Sequence, residues 1–170
     1  MSVSRRTMAG AVALAGAAGA AWWLSGRPQD GQNAPDVSYT LLGGQQQRLS
    51  TLRGQVVLVN FWATSCTTCV AEMPELMATH RKYAPQGYRT LAVAMSYDPP
   101  AYVANFTARR QLPFDVTLDN TGDIARQFGD VRLTPTTFLI DKQGRIVKRY
   151  VGAPDFAGLH QLIERLLAQA

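Results

Sequence analysis

Residues 55–69 read Gln-Val-Val-Leu-Val-Asn-Phe-Trp-Ala-Thr-Ser-Cys-Thr-Thr-Cys. As far as Trp62 the run is almost continuously apolar and rich in β-branched and aromatic residues, the composition of a short strand covered on both faces. From residue 66 to 83 the pattern is helical, with Pro74 in the interior as an expected kink. The only two cysteines, Cys66 and Cys69, therefore stand where a buried strand hands over to a helix. That position places the first sulfur over the unpaired amides and the positive end of the helix dipole, which stabilises thiolate and lowers a pKa that is ordinarily about 8.5. Cys66 is the expected nucleophile. Cys69, one turn further in, is the expected resolving thiol, placed to attack a mixed disulfide on Cys66 and close an intramolecular bridge. A purely structural disulfide here would constrain the unfolded chain little. A zinc site would need His80 and His160, the only histidines, to converge on the pair.

On the N-terminal side of this stretch, Tyr39–Leu42 and Gln47–Leu49, separated by Gly43-Gly44, read as a small hairpin. On its C-terminal side, Thr90–Met95 is a second buried strand. Pro99–Gln111 reads as a helix with Val103 and Phe106 inward, Phe114–Leu118 as a short strand, and Gly122–Phe128 as a short helix. Strands at 136–140 and 145–151 are joined by the Asp141-Lys142-Gln143-Gly144 turn. Asp155 caps a final helix through Leu167, apolar at Leu159, Leu162, Ile163 and Leu166. Strands that alternate with helices and end in a hairpin imply an α/β fold, a mixed sheet covered by helices on both faces. His80 and His160 lie beside charged neighbours and are expected on the surface without a role. Met95 is expected in the core.

The chain has 170 residues, 46% hydrophobic and 17% charged, which suits one core and excludes general disorder. Its net charge of +5 owes much to Arg5, Arg6 and Arg27; from residue 28 onward the balance is +2. No Lys/Arg run exceeds two, so nucleic acid is not an expected partner. After Arg5-Arg6 come twenty uncharged residues, Thr7 to Gly26, rich in Ala and Gly and closing on Trp22-Trp23-Leu24. Positive charge ahead of an apolar run keeps that end in the cytoplasm and sends the rest of the chain across the inner membrane. Ser4-Arg5-Arg6-Thr7-Met8 is similar to a twin-arginine export signal. The Ala18-Gly19-Ala20 triplet offers a cleavage site, but the length and the Trp pair favour an uncleaved anchor over residues 1–26. Residues 27–35 read as a linker and 36–170 as the folded domain.

Val59-Asn60-Phe61-Trp62-Ala63-Thr64-Ser65-Cys66-Thr67-Thr68-Cys69, then Glu72 and Pro74, then Thr134-Pro135-Thr136-Thr137-Phe138-Leu139-Ile140-Asp141-Lys142-Gln143-Gly144, resemble the membrane-anchored periplasmic thioredoxin-like proteins of the TlpA and ResA type. The resemblance covers about residues 34 to 168. It implies a thioredoxin fold with an added N-terminal β-hairpin and a central insertion around residues 97–130. It also implies a thiol-disulfide oxidoreductase without a bound cofactor beyond the Cys66–Cys69 redox disulfide, usually a reductant of protein disulfides outside the cytoplasm. Pro135 matches the family's cis proline beside the cysteine pair, which turns the Thr134 backbone toward the sulfurs to pair with an extended substrate. Trp62, an aromatic beside the pair, is a candidate for substrate contact or shielding, with plain packing as the alternative.

Three positions depart from the family pattern. Ser65 stands where Trp is common, Thr68 stands where Pro is common, and Asn60 occupies the strand position of thioredoxin's buried Asp. Glu72, which shares a helix face with Cys69, is the candidate proton acceptor in its place. Thr67-Thr68 adds no positive charge near the Cys66 thiolate, so a reductase is expected rather than a strong oxidant. Expected partners are protein disulfide substrates, among them those of cytochrome c maturation or copper-site assembly, a membrane thiol donor, and the inner membrane itself. The protein is expected to be a monomer. A second class of function is copper handling, with the CxxC thiolates as soft ligands.

Overall fold

The computed structural model describes residues 31–169. In chain order the elements are β1 (Ser38–Thr40), β2 (Gln46–Arg48), β3 (Val56–Trp62), α1 (Thr67–Tyr83), β4 (Tyr88–Ala94), α2 (Pro100–Arg110), β5 (Asp115–Leu118), α3 (Asp123–Gln127), β6 (Thr136–Ile140), β7 (Ile146–Val151) and α4 (Phe156–Ala168). Five strands form one sheet in the order β5-β4-β3-β6-β7, and β1 and β2 pair separately as an antiparallel hairpin. β3 runs parallel to β4 and antiparallel to β6, so the apolar strand that leads to the cysteines lies at the centre of a mixed sheet. This is the thioredoxin fold with its N-terminal hairpin.

All seven residues of β3 are buried, which explains why that stretch does not alternate with polar residues. Its side chains nonetheless sort by period two. Val56, Leu58 and Trp62 join Cys69, Met73 and Leu76 of α1, Val103 of α2, and Leu159, Ile163 and Leu166 of α4. Val57, Val59 and Phe61 join Ile124 and Ala125 of α3, Phe128, and the hairpin residues Val37 and Tyr39. Each large aliphatic so buried contributes about 1.5–3 kcal/mol relative to exposure. Asn60 falls on the α1 side of this alternation.

The buried residues of α1 are Cys69, Glu72, Met73, Leu76, Thr79, His80 and Tyr83, a single stripe at helical spacing. The helix continues through Pro74, which lies on its exposed side. His80, expected on the surface, is buried at 7% exposure. It occupies the stripe, its Nδ1 lies 3.2 Å from the Thr90 hydroxyl, and its ring meets Phe114 edge-on at 5.6 Å. Burial, aided by the nearby Arg89 charge, pushes its pKa down. His160 is half-buried, with Nε2 2.8 Å from the Thr79 hydroxyl.

The hairpin strands end earlier than the sequence pattern implied. Leu41 instead bridges Thr117, and the Leu42 N–H donates to the Val116 carbonyl, so the chain leaves the hairpin to cover the β5 edge. Residues 31–34, read from composition as linker, are hydrogen-bonded to the domain: Asn33 bridges Arg145, and the Ala34 N–H donates to the Gly144 carbonyl. No helix among the described residues is long and apolar enough to cross a membrane. The expected anchor lies outside the described residues.

Candidate active site

The central strand β3 ends at Trp62, and a short turn brings Cys66 to the N-cap of α1. The Cys66 sulfur accepts a hydrogen bond from the Cys69 N–H at 3.2 Å, the capping interaction that an oxygen side chain would ordinarily make. The first turn of α1 carries no acidic residue, while its last turn carries His80, Arg81 and Lys82. The positive end of the dipole is therefore left for the sulfur. Cys66 and Cys69 are joined as a disulfide with Cα atoms 5.2 Å apart. Cys66 is half-buried and Cys69 has no exposed surface. An incoming group can reach the first sulfur only.

Behind Cys69 lies a small buried polar network. Glu72 is one turn further along α1 and 4% exposed. Asn60, fully buried on the same side of β3, donates from Nδ2 to Glu72 Oε1 at 3.1 Å and to the Thr137 hydroxyl at 3.0 Å. Thr137 is the residue directly opposite Asn60 in the β3–β6 ladder. The second carboxylate oxygen, Oε2, has no protein partner. Loss of hydration pushes the Glu72 pKa up to about 7, and the Asn60 hydrogen bond offsets only part of that. Asn60 thus anchors the carboxyl through one neutral donor, and burial, not Asn60, is what raises its pKa.

The other wall of the site comes from β6. Pro135 is buried, and the Thr134-Pro135 bond is cis, as the resemblance implied. Phe61 pairs with Thr136, so the turns that leave β3 and enter β6 emerge side by side. Thr134 is half-buried and its hydroxyl shares a 3.3 Å hydrogen bond with the Tyr97 hydroxyl. Trp62 corrects an expectation. Its ring has no exposed surface and tilts against Phe106 at 5.1 Å between centroids, so it packs under the site instead of meeting substrate.

Asp98 went unnoticed in the sequence. It is 4% exposed, and its two oxygens accept from the Thr64 N–H and the Thr64 hydroxyl, both at 2.6 Å. In the stretch Tyr97-Asp98-Pro99-Pro100 it reads as a solvated turn residue, and no periodicity could have shown otherwise. Thr137 was also missed, because its pairing with Asn60 depends on strand register. Among the described residues no group of three or more His, Cys, Asp or Glu is arranged to hold a metal ion.

A family model described as Redoxin matches residues 29–163. The thiol-disulfide oxidoreductase ResA of Geobacillus thermodenitrificans is 35% identical over 136 residues, covering 80% of this chain and 77% of that protein. The solution structure of a proposed thioredoxin from Neisseria meningitidis superposes with a TM-score of 0.76 at 38% identity, covering 83% of this chain and 93% of the other. The crystal structure of a proposed thiol:disulfide interchange protein DsbE from Chlorobium tepidum gives 0.74 at 32% identity, covering 83% and 99%.

Proposed function

Since the chain belongs to the Redoxin family and is a thiol-disulfide oxidoreductase of the ResA kind, we propose that it acts outside the cytoplasm as a reductase of protein disulfides. The observation that carries this reading is the unequal exposure of the pair: Cys66 open at a helix N-terminus, Cys69 closed off with Glu72 behind it. In the reduced protein the Cys66 thiolate attacks one sulfur of a substrate disulfide. The S–S bond breaks, one substrate cysteine leaves as thiolate, and Cys66 holds the other in a mixed disulfide. Glu72 takes the Cys69 proton, a transfer suited to a carboxyl that titrates near neutrality. The Cys69 thiolate then attacks Cys66, releases the second substrate thiol and closes the Cys66–Cys69 bond. Two electrons have passed from protein to substrate. A thiol donor in the membrane, to which residues 1–26 tether the domain, restores the dithiol.

The Thr134 backbone, beside cis Pro135, serves as the pairing edge for an extended substrate segment. The uncharged Thr67-Thr68 pair keeps the potential toward the thioredoxin end of the range. Two measurements test the proposal. Equilibration with a thiol redox buffer, read by alkylation of Cys66, should place the potential well below the roughly −120 mV of a strong oxidase, and a value near that figure would overturn the direction. A reporter active only in the cytoplasm and fused after Ala170 should be silent; activity would overturn the location. Candidate substrates are disulfides formed by the cysteines of an apocytochrome or of a copper-site assembly factor, and trapping on Cys69→Ser would identify them.

A further inference from the structure

Asp98 and Tyr97 are adjacent in the turn after β4, yet they reach opposite walls of the site. Asp98 grips Thr64, two residues before Cys66, through two short hydrogen bonds to its N–H and hydroxyl. Two residues of chain span at most about 7 Å, so this grip acts directly on the turn that presents the sulfur. The Asp98 N–H is itself tied to the Met95 carbonyl at 2.9 Å, which anchors the turn to the end of β4. Tyr97 points the other way. The residue is 56% exposed, while its hydroxyl meets the Thr134 hydroxyl at 3.3 Å. The CxxC turn and the cis-proline turn are thus linked through one dipeptide, in addition to the β3–β6 ladder beneath them.

We infer that Tyr97 and Asp98 are positioning residues that hold the Cys66 turn and the Thr134 edge at the separation a single extended, cysteine-bearing peptide segment requires. The inference rests on the proposed role of the Thr134 edge in substrate pairing. An exchange with a protein disulfide needs both walls at once, because the segment must lie along Thr134 while its sulfur reaches Cys66. A small disulfide needs only Cys66. Asp98 and Tyr97 should therefore matter more to the first than to the second, a distinction that a merely structural role would not produce.

The test compares the reduced full-length protein and its Tyr97→Phe and Asp98→Asn variants on two substrates, the disulfides of insulin and bis(2-hydroxyethyl) disulfide. Tyr97→Phe removes one hydroxyl at an exposed site and should leave the fold intact. Its KM for insulin should rise about fivefold, the value of one neutral hydrogen bond, and that of Asp98→Asn about tenfold, since a charge-assisted pair is weakened. Rates on the small disulfide should stay within about twofold of wild type in Tyr97→Phe and fall by less than the insulin rates do in Asp98→Asn. Unchanged insulin kinetics in Tyr97→Phe, or equal losses on both substrates in either variant, would overturn the inference. Wild-type protein that turned over neither disulfide would instead bring down the reductase reading, and this inference with it.

Discussion

The two ends of β6 bury carboxylates of opposite character. Near its start, Glu72 touches the Asn60 that pairs with Thr137; it receives one hydrogen bond from an uncharged amide and leaves Oε2 without a protein partner. Just past its other end, Asp141 accepts from the N–H groups of Gln143 and Arg145 and from Arg145 Nε, with Arg145 Nη2 at 2.8 Å. The two are buried alike, at 4% and 2% exposure. Burial alone therefore does not decide what a carboxyl does; the donors around it do. Where the charge is satisfied, the group pins a hairpin turn. Where it is under-satisfied, the proton is held more tightly and becomes available near neutral pH.

The sharpest separation of the working end from the structural end comes from the cysteines. Cys66→Ser should abolish disulfide exchange, a loss of about a thousandfold or more, while Cys69→Ser accumulates mixed disulfides seen by non-reducing electrophoresis. Activity retained in Cys66→Ser, with equal alkylation of both thiols in the wild-type dithiol, would break the assignment. Next in size, Glu72→Gln should slow the resolving step about 100-fold in stopped-flow measurements and flatten its pH profile, because the acceptor is gone while the shape remains. Wild-type rates across pH 6 to 9 would remove Glu72 from the mechanism.

At the other end, Asp141→Asn should cost about 2 kcal/mol in urea unfolding and leave insulin turnover within about twofold below the transition. A loss of turnover without a loss of stability would erase the contrast between the two carboxylates. The smallest effect is the pH dependence of stability. The folded pKa of Glu72, about 7, lies above its ordinary 4.5, so the fold favours the protonated form. The stability it contributes is complete below about pH 4.5 and is lost as pH rises through 7. After allowance for residual solvent around the group, the wild-type oxidised protein should lose about 1 kcal/mol between pH 5 and 8 relative to Glu72→Gln. Parallel curves for the two proteins would mean that Glu72 is as well satisfied as Asp141.

How much of this was legible before the fold was known depends on the range of the interaction concerned. The apolar run 56–62, the CxxC at the start of a helix, the Asp155 cap and the Asp141–Gly144 turn all rest on neighbours within a few residues, and they stand where the sequence pattern put them. Glu72 was legible for the same reason: three residues from Cys69 means one helix face. The stripe on α1 also held the signal for His80, eleven residues beyond Cys69, but its charged neighbours Arg81 and Lys82 pointed to the surface. Periodicity was the better guide there. What the linear chain could not determine is every contact that depends on register or on a loop's path. The pairing of Asn60 with Thr137 spans 77 residues and exists only because β3 and β6 align at one register out of several. The grip of Asp98 on Thr64, across 34 residues, exists only because the turn after β4 folds back over the end of β3. Local chemistry written in the sequence placed Cys66 at the N-terminus of α1. Only tertiary structure could bury a carboxyl with too few donors behind Cys69 and tie the turn after β4 to both Thr64 and Thr134, because loss of solvent and convergence of distant groups are properties of the packed chain.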